Sequence, residues 1–388
     1  MLLILWPIQA QEIPTIEGSA HEPVRFNTEA ETRYLTDFAV RGKLEFQGLR
    51  IESLDGMTVL ADYNSAIPFN PASVIKIGTS FAALYRWGAD YRFETAFFTA
   101  GTINKNTKTL TGDLVLRSTG DPVLTQTDIV KLIQQVAKTG ITQVTGDLIV
   151  TGPLTFDAYY TTDLALPRIA AVVRQGGIRV GGKTHLGPHG GKALASHESI
   201  KLRDILLDQN RRSSNPMAER LGEALGAKSG DGPKTVERFL VDVVGVKKED
   251  VVVGRTSGLD YNRMTPRGVV QVLRQLVRWL DENHMQPADI LPRAGEGTLK
   301  SRFTADEFRE GVVGKTGTLP QTDGGVSTLA GILYTKDYGP VLFSIFNSKG
   351  TVDQFRRLQD NFLEDLIREA GGIASESTLS VSSHKSSN

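Results

Sequence analysis

Three runs near the C-terminus, EGVVGKTGTL (310–319), GVSTLAGILYT (325–335) and GPVLFSIFNS (339–348), decide how this chain is to be read. Each is rich in β-branched and aromatic residues, and the segments between them, PQTDGG and KDYG, are turn formers. They predict an antiparallel meander with Lys315 to Thr318 along one strand. The run TVDQFRRLQDNFLEDLIREAGG (351–372) follows with a helical period, and such a helix can cover one face of that sheet.

Working outward, LEFQGLRIESLDGMTVLADY (44–63) alternates twice about Asp55-Gly56 and reads as a hairpin. NPASVIKIGTSFAALYRWG (70–88) reads as a helix from about Pro71-Ala72 to Gly88. Val74, Ile75, Ile77, Phe81 and Leu84 make it apolar on most sides, as a central helix would be. Residues 199–227 form a helical region broken at RRSSNPMAERL, where Asn215 reads as a cap and Pro216 as the first helical position. Thr265-Pro266 repeats that start signal. LPRIAAVVRQGGIRVGG reads as a helix leading into a strand.

Lys-Thr-Gly occurs twice. The copy at 138–140 closes the amphipathic run TQTDIVKLIQQVAKTG (125–140), whose buried side is Ile129, Ile133, Val136 and Ala137. There Lys138 suits the negative end of the helix dipole and Gly140 the left-handed cap. The copy at 315–317 lies on a strand, where Lys315 offers a fixed positive charge, Gly317 allows close approach, and Thr316 and Thr318 offer hydroxyl donors. An anionic chain end could add along such an edge. Lysine protecting an exposed edge is the competing reading.

Ser-x-x-Lys also occurs twice. The copy at Ser382–Lys385 falls in the Ser-rich tail ASESTLSVSSHKSSN and has no framework to hold a geometry. At Ser73–Lys76 the two residues share a helix face. Burial lowers a lysine pKa, so this amine could take a proton from the serine, and N–H groups at the helix start could serve an oxyanion. A capping serine beside a snorkelling lysine fits the same residues. Ser213 to Asn215, alone, is explained by a cap before Pro216.

The order of the three motifs changes that balance. Ser-x-x-Lys at 73, Ser-x-Asn at 213 and Lys-Thr-Gly-Thr at 315 fall on a helix, an interhelix loop and a strand. That ordered set resembles the signature of the penicillin-recognising serine enzymes. GDLVLRSTGDPVLT (112–125), NRRSSNPMAERL (210–221), TSGLDYNRMTP (256–266) and GEGTLKSRF (295–303) resemble segments of the class C low-molecular-mass penicillin-binding proteins, the DacB-like D-alanyl-D-alanine carboxypeptidases and endopeptidases. The likeness runs from about residue 30 to 372.

The resemblance implies an α+β fold (an α/β sandwich): a β-lactamase/transpeptidase-like domain with an antiparallel sheet flanked by helices, and a small β-rich inserted domain. The catalytic domain is expected at 22–99 and 166–372, the insert at 100–165, and a disordered tail at 373–388. The family's usual long insertion is shortened here. The resemblance also implies roles: Ser73 as nucleophile on the D-Ala–D-Ala carbonyl, Lys76 as its base, Ser213 as proton relay, and Asn215 fixing Lys76 and the substrate amide. Lys315 would hold the electrostatics, Thr316, Gly317 and Thr318 would line the carboxylate end, and the N–H groups of Ser73 and Thr318 would form the oxyanion hole. The expected partners are peptidoglycan stem peptides and, as covalent inhibitors, β-lactams. No metal or organic cofactor is called for. The Glu-x-x-Leu-Asn segment of class A β-lactamases is missing between 216 and 314, which argues against that alternative. A non-catalytic peptidoglycan-binding scaffold is the alternative from outside enzymes.

Composition sets the remaining bounds. The 388 residues include 44 Lys+Arg and 44 Asp+Glu, so no global field favours nucleic acid. There is no cysteine, which removes disulfides and thiolate chemistry. His185 and His189 in THLGPHG are separated by Gly187-Pro188 and read as a surface turn rather than a metal pair. MLLILWPIQAQE (1–12) resembles the back half of a secretory signal without its basic start, so export to an extracytoplasmic site is expected. No segment reaches the roughly 18 apolar residues of a spanning helix.

Overall fold

The computed structural model describes residues 22–188 and 190–374. The expected signal segment, His189, most of the tail and its Ser382–Lys385 motif lie outside the described residues. Ile373 belongs with the folded chain: it bridges Thr335 and packs on the adjoining core, so the tail does not begin at 373.

The three C-terminal runs form the strands Val312–Leu319, Val326–Thr335 and Gly339–Ser348 of a six-stranded sheet. Gly339–Ser348 pairs antiparallel with Gln47–Ser53, which forms the hairpin with Thr58–Tyr63. Gly56, at φ +79°, makes the turn between them. The short strand Val24–Arg25 closes the far edge in parallel, leaving Val312–Leu319 as the other edge.

Side chains alternate across a strand, and here both sides of the alternation are apolar. Val313, Ala330, Ile332 and Leu342 face one core, while Val312, Leu329, Leu333 and Phe343 face another. A sheet apolar on both faces needs a helical layer on each. The first core receives the helices Lys76–Trp87, Leu202–Arg212, Asn215–Leu225, Gly232–Asp242 and Pro266–Glu282. The second receives Glu29–Ala39 and Val352–Glu369, the latter through Phe355, Phe362, Leu363, Leu366 and Ile367. The chain is thus an α+β sandwich, as expected.

Lys76–Trp87 is buried from Lys76 through Leu84, which makes it the central helix. A 3₁₀ turn, Ala72–Ile75, leads into it, and Gly88 at φ +78° ends it. Its Phe81 sits edge-to-face on Phe239 and Trp279.

The inserted unit differs from its expected outline. Its core runs from Phe97 to Ile178 and includes Leu132, Ile133, Ile169 and Val172 from the helices Gln126–Lys138 and Thr162–Gln175. Strand Glu94–Thr99 pairs with Leu114–Ser118 inside this unit, not with the main sheet. The unit is therefore wider than 100–165, and two helices join its many strands. The reason is its topology: Leu148–Thr151 lies parallel to both Leu114–Ser118 and Thr184–Leu186, and parallel neighbours need crossovers, which the two helices supply. The first Lys-Thr-Gly closes the earlier of these helices, with Lys138 in the last turn and Gly140 at φ +98°. His185 lies on the strand Thr184–Leu186 rather than in a turn, beside Asp147.

Replacing Phe81 by Ala empties the contact between the central helix and its neighbours. Urea denaturation is expected to show a loss of about 3–5 kcal/mol.

Candidate active site

The serine of the first motif is delivered by a strained approach. Ala72 adopts φ +46°, rare for a residue with a Cβ, and its N–H is held by the Asn70 side chain at 3.0 Å. This turn leaves Ser73 half-buried while Lys76 is fully buried. Two glycines make room for it. A Cβ at Gly258 would lie 2.0 Å from the Ala72 carbonyl oxygen, and one at Gly317 would lie 2.8 Å from that of Pro71. Gly317 thus admits the backbone that leads into Ser73, and Thr328 Oγ1 beside it donates to Pro71 O at 2.9 Å.

Around Lys76 the structure gathers three oxygens. Its Nζ donates to Ser73 Oγ at 2.8 Å, to Asn215 Oδ1 at 2.8 Å, and to the Ser257 carbonyl. An ammonium has three N–H bonds and can use all three; a neutral amine has two and a lone pair. With Asn215 and Ser257 holding two N–H groups, the lone pair of the neutral form faces Ser73. Burial favours that form, lowering the Lys76 pKa to about 7, and Glu219 opposes this only in part.

The second hydroxyl–amine pair is Ser213 with Lys315, whose Nζ donates to Ser213 Oγ at 2.8 Å and to Thr316 O at 2.7 Å. Ser213 ends its helix in the left-handed region at φ 53°, ψ 41°. Lys315 is fully buried, and burial plus the neighbouring Lys76 push its pKa well below the ordinary value. Among the described residues neither lysine has a carboxylate within ion-pair distance.

Asn215 reaches Lys76 from the first turn of the helix Asn215–Leu225. It is not the cap: the Ser214 side chain accepts from Met217 N, and Asn215 is freed to point into the cleft. The edge strand supplies the last wall. Val312 O and Gly314 N turn outward to Ala294 N and Pro292 O. By strand alternation the N–H groups of Thr316 and Thr318 also face that open edge, beyond the covering segment. Lys315 and Gly317 face the central helix with Val313, whereas Thr316 and Thr318 face the side of the C-terminal helix, whose Arg356 donates to Thr318 Oγ1 at 3.1 Å.

All three motifs therefore meet in one cleft. Residues 32–163 and 151–363 match the D-Ala-D-Ala carboxypeptidase 3 (S13) family. The chain belongs to that family. It is a serine-type peptidase, DacB-like in its curated relatives. D-alanyl-D-alanine carboxypeptidase DacB of Haemophilus influenzae is 22% identical over 74% of this chain and 82% of its own length. The D-alanyl-D-alanine carboxypeptidase of Actinomadura sp. strain R39 is 31% identical over 48% of this chain and 35% of its own. Among solved structures, penicillin binding protein 4 of H. influenzae superposes with a TM-score of 0.70 at 22% identity, covering 86% of this chain and 98% of that one. The penicillin G-acylated predatory endopeptidase Bd3459 of Bdellovibrio bacteriovorus superposes at 0.65 with 18% identity, covering 84% and 93%. These two likenesses establish the shared fold.

Three contributors to this cluster were not singled out by the sequence. Ser257 acts through its backbone carbonyl, which carries no side-chain signature, although TSGLDYNRMTP was already marked by resemblance. Glu219 fixes that loop by accepting from Ser257 N at 3.1 Å. Ala72 carries the strain, and nothing about an alanine in a sequence announces a positive φ. A separate concavity of about 580 Å³, lined by Thr151, Asp163, Glu223 and Asp231, contains none of the three motifs.

A base with a pKa of about 7 must lose its proton before it can accept one. The rate constant for acylation of the serine is expected to rise about tenfold per pH unit below neutrality and to level off above it. Stopped-flow acylation with a fluorescent penicillin between pH 5 and 9 measures this.

Proposed function

We propose that this chain is a peptidoglycan D-alanyl-D-alanine carboxypeptidase and endopeptidase that works through an acyl-enzyme on Ser73. The observation that carries the reading is the 2.8 Å contact between the Lys76 amine and Ser73 Oγ, with that amine buried and held near a pKa of 7. Neutral Lys76 takes the Ser73 proton as Oγ attacks the carbonyl of the penultimate D-Ala. The tetrahedral oxyanion lies between the N–H groups of Ser73 and Thr318. Collapse breaks the D-Ala–D-Ala amide. The proton that Lys76 took from Ser73 reaches the leaving nitrogen by relay through the Ser213 hydroxyl, which Lys315 Nζ contacts at 2.8 Å, so Lys76 returns to its neutral form. Water then hydrolyses the ester.

Asn215 serves twice, holding Lys76 and offering its amide N–H₂ to the substrate backbone. Thr316 and Thr318 receive the terminal carboxylate. The same attack on a β-lactam carbonyl yields a stable ester, so penicillins act as covalent inhibitors. Peptidoglycan stem peptides as substrate require an extracytoplasmic location. No helix among the described residues is long and apolar enough to cross a membrane.

Incubation with a fluorescent penicillin tests the reading. Persistent labelling that vanishes in Ser73→Ala is expected, with release of D-Ala from a pentapeptide ending in D-Ala–D-Ala. Rapid loss of label would identify a β-lactamase, and absence of label a non-catalytic scaffold. Lys76→Ala is expected to slow acylation by about 10²–10⁴-fold while leaving the protein folded by circular dichroism. Cross-linked muropeptides assay the endopeptidase arm.

A further inference from the structure

The cleft has a charge problem that the three motifs do not solve. The substrate end is a carboxylate, yet burial and the adjacent Lys76 both favour the neutral form of Lys315. Lys315 also spends two donors on Ser213 and Thr316 within the protein. A guanidinium stays charged at any working pH, and one lies beside the same strand.

That group is Arg356, on the helix Val352–Glu369 behind the edge strand. Its Nη2 donates to Thr318 Oγ1 at 3.1 Å, and its side chain is 42% exposed, so solvent and solute can reach the rest of the fork. Of its acidic neighbours, Asp353 stands at 3.9 Å on the exposed helix surface, too distant and too solvated to neutralise it, and Asp360 is already paired with the buried Arg302. A hydroxyl that accepts from a guanidinium keeps its own O–H free. With Arg356 donating to Thr318 Oγ1, that O–H remains available to an anion lying along the open edge.

The helix under Arg356 is anchored for such a role. The buried Arg302 binds Asp360 and Gln359 and donates to the Arg356 carbonyl at 3.3 Å. Gln359 Nε2 in turn donates to Ser327 O at 3.1 Å, and Ser327 is the register partner of Thr318. The arginine and the hydroxyl are thus fixed to each other through both the helix and the sheet.

We propose that Arg356, acting through the Thr318 hydroxyl, makes this site select a free terminal carboxylate on the D-Ala–D-Ala end. It is a positioning residue, and the inference rests on the acyl-transfer reading above. Its consequence is a division of labour: Lys315 supports proton transfer with Ser213, while Arg356 supplies the charge that reads the chain end.

The test uses the full chain and two alkylboronate inhibitors of the serine, one carrying a carboxylate where the terminal D-Ala carboxylate would lie and one with hydrogen there. Arg356→Ala is expected to weaken the carboxylate-bearing boronate by about 10- to 100-fold. The neutral boronate should change by less than about twofold, and Arg356→Lys should restore part of the loss. With the D-Ala–D-Ala peptide the loss should fall on KM more than on kcat. Equal weakening of both boronates would mean that Arg356 only supports the fold, and no weakening of either would mean that it does not read the carboxylate; each result overturns the proposal. A wild-type chain that binds neither boronate and releases no D-Ala overturns the acyl-transfer reading, and this inference with it.

Discussion

Everything in the cleft depends on taking one amine out of water without giving it a carboxylate. A buried lysine paired with an acid keeps its proton and is useless as a base, whereas one surrounded by neutral oxygens sheds it near neutrality. Lys76 is of the second kind, with Ser73 Oγ, Asn215 Oδ1 and the Ser257 carbonyl as its partners. Those three oxygens come from three separate stretches of chain, so the amine's state reports that all three have been assembled.

The fold is arranged to keep that assembly rigid. Ser73 and Lys76 begin the most buried helix of the molecule's larger core, and Asn215 sits in the first turn of another helix packed against the first. The edge strand is pressed onto the segment before Ser73 so closely that only glycine fits at 317. The positive φ at Ala72 is held by Asn70 and by the crowding of Gly258, so the strain is maintained by packing rather than by local preference. Lys315 repeats the same physics one step removed, buried against Ser213 and Thr316.

Much of this was legible. The meander, the hairpin at Asp55-Gly56, the central helix and the two starts at Pro216 and Pro266 follow from periodicity and turn chemistry, which act within a few residues of each other. The two copies of Lys-Thr-Gly were separable for the same reason: one ends an amphipathic helix, the other runs along a strand. The extent of the inserted unit was not legible. Strand Glu94–Thr99 and the helix Thr162–Gln175 look the same in sequence whichever sheet they join, and the choice is made by pairing over long range. The cap assigned to Asn215 went to Ser214 because both residues can cap, and only the frame of the preceding turn decides between them.

By itself the sequence determined the element types, the separation of three motifs onto helix, loop and strand, and the residue kinds available for catalysis, because these depend on local backbone preference and side-chain chemistry. Only the tertiary structure decided that Lys76 is buried among neutral acceptors, that a backbone carbonyl at Ser257 is one of them, and that Arg356 stands beside Thr318. The physical reason is that desolvation and hydrogen-bond geometry belong to atoms brought together from distant parts of the chain, and no window of sequence contains them.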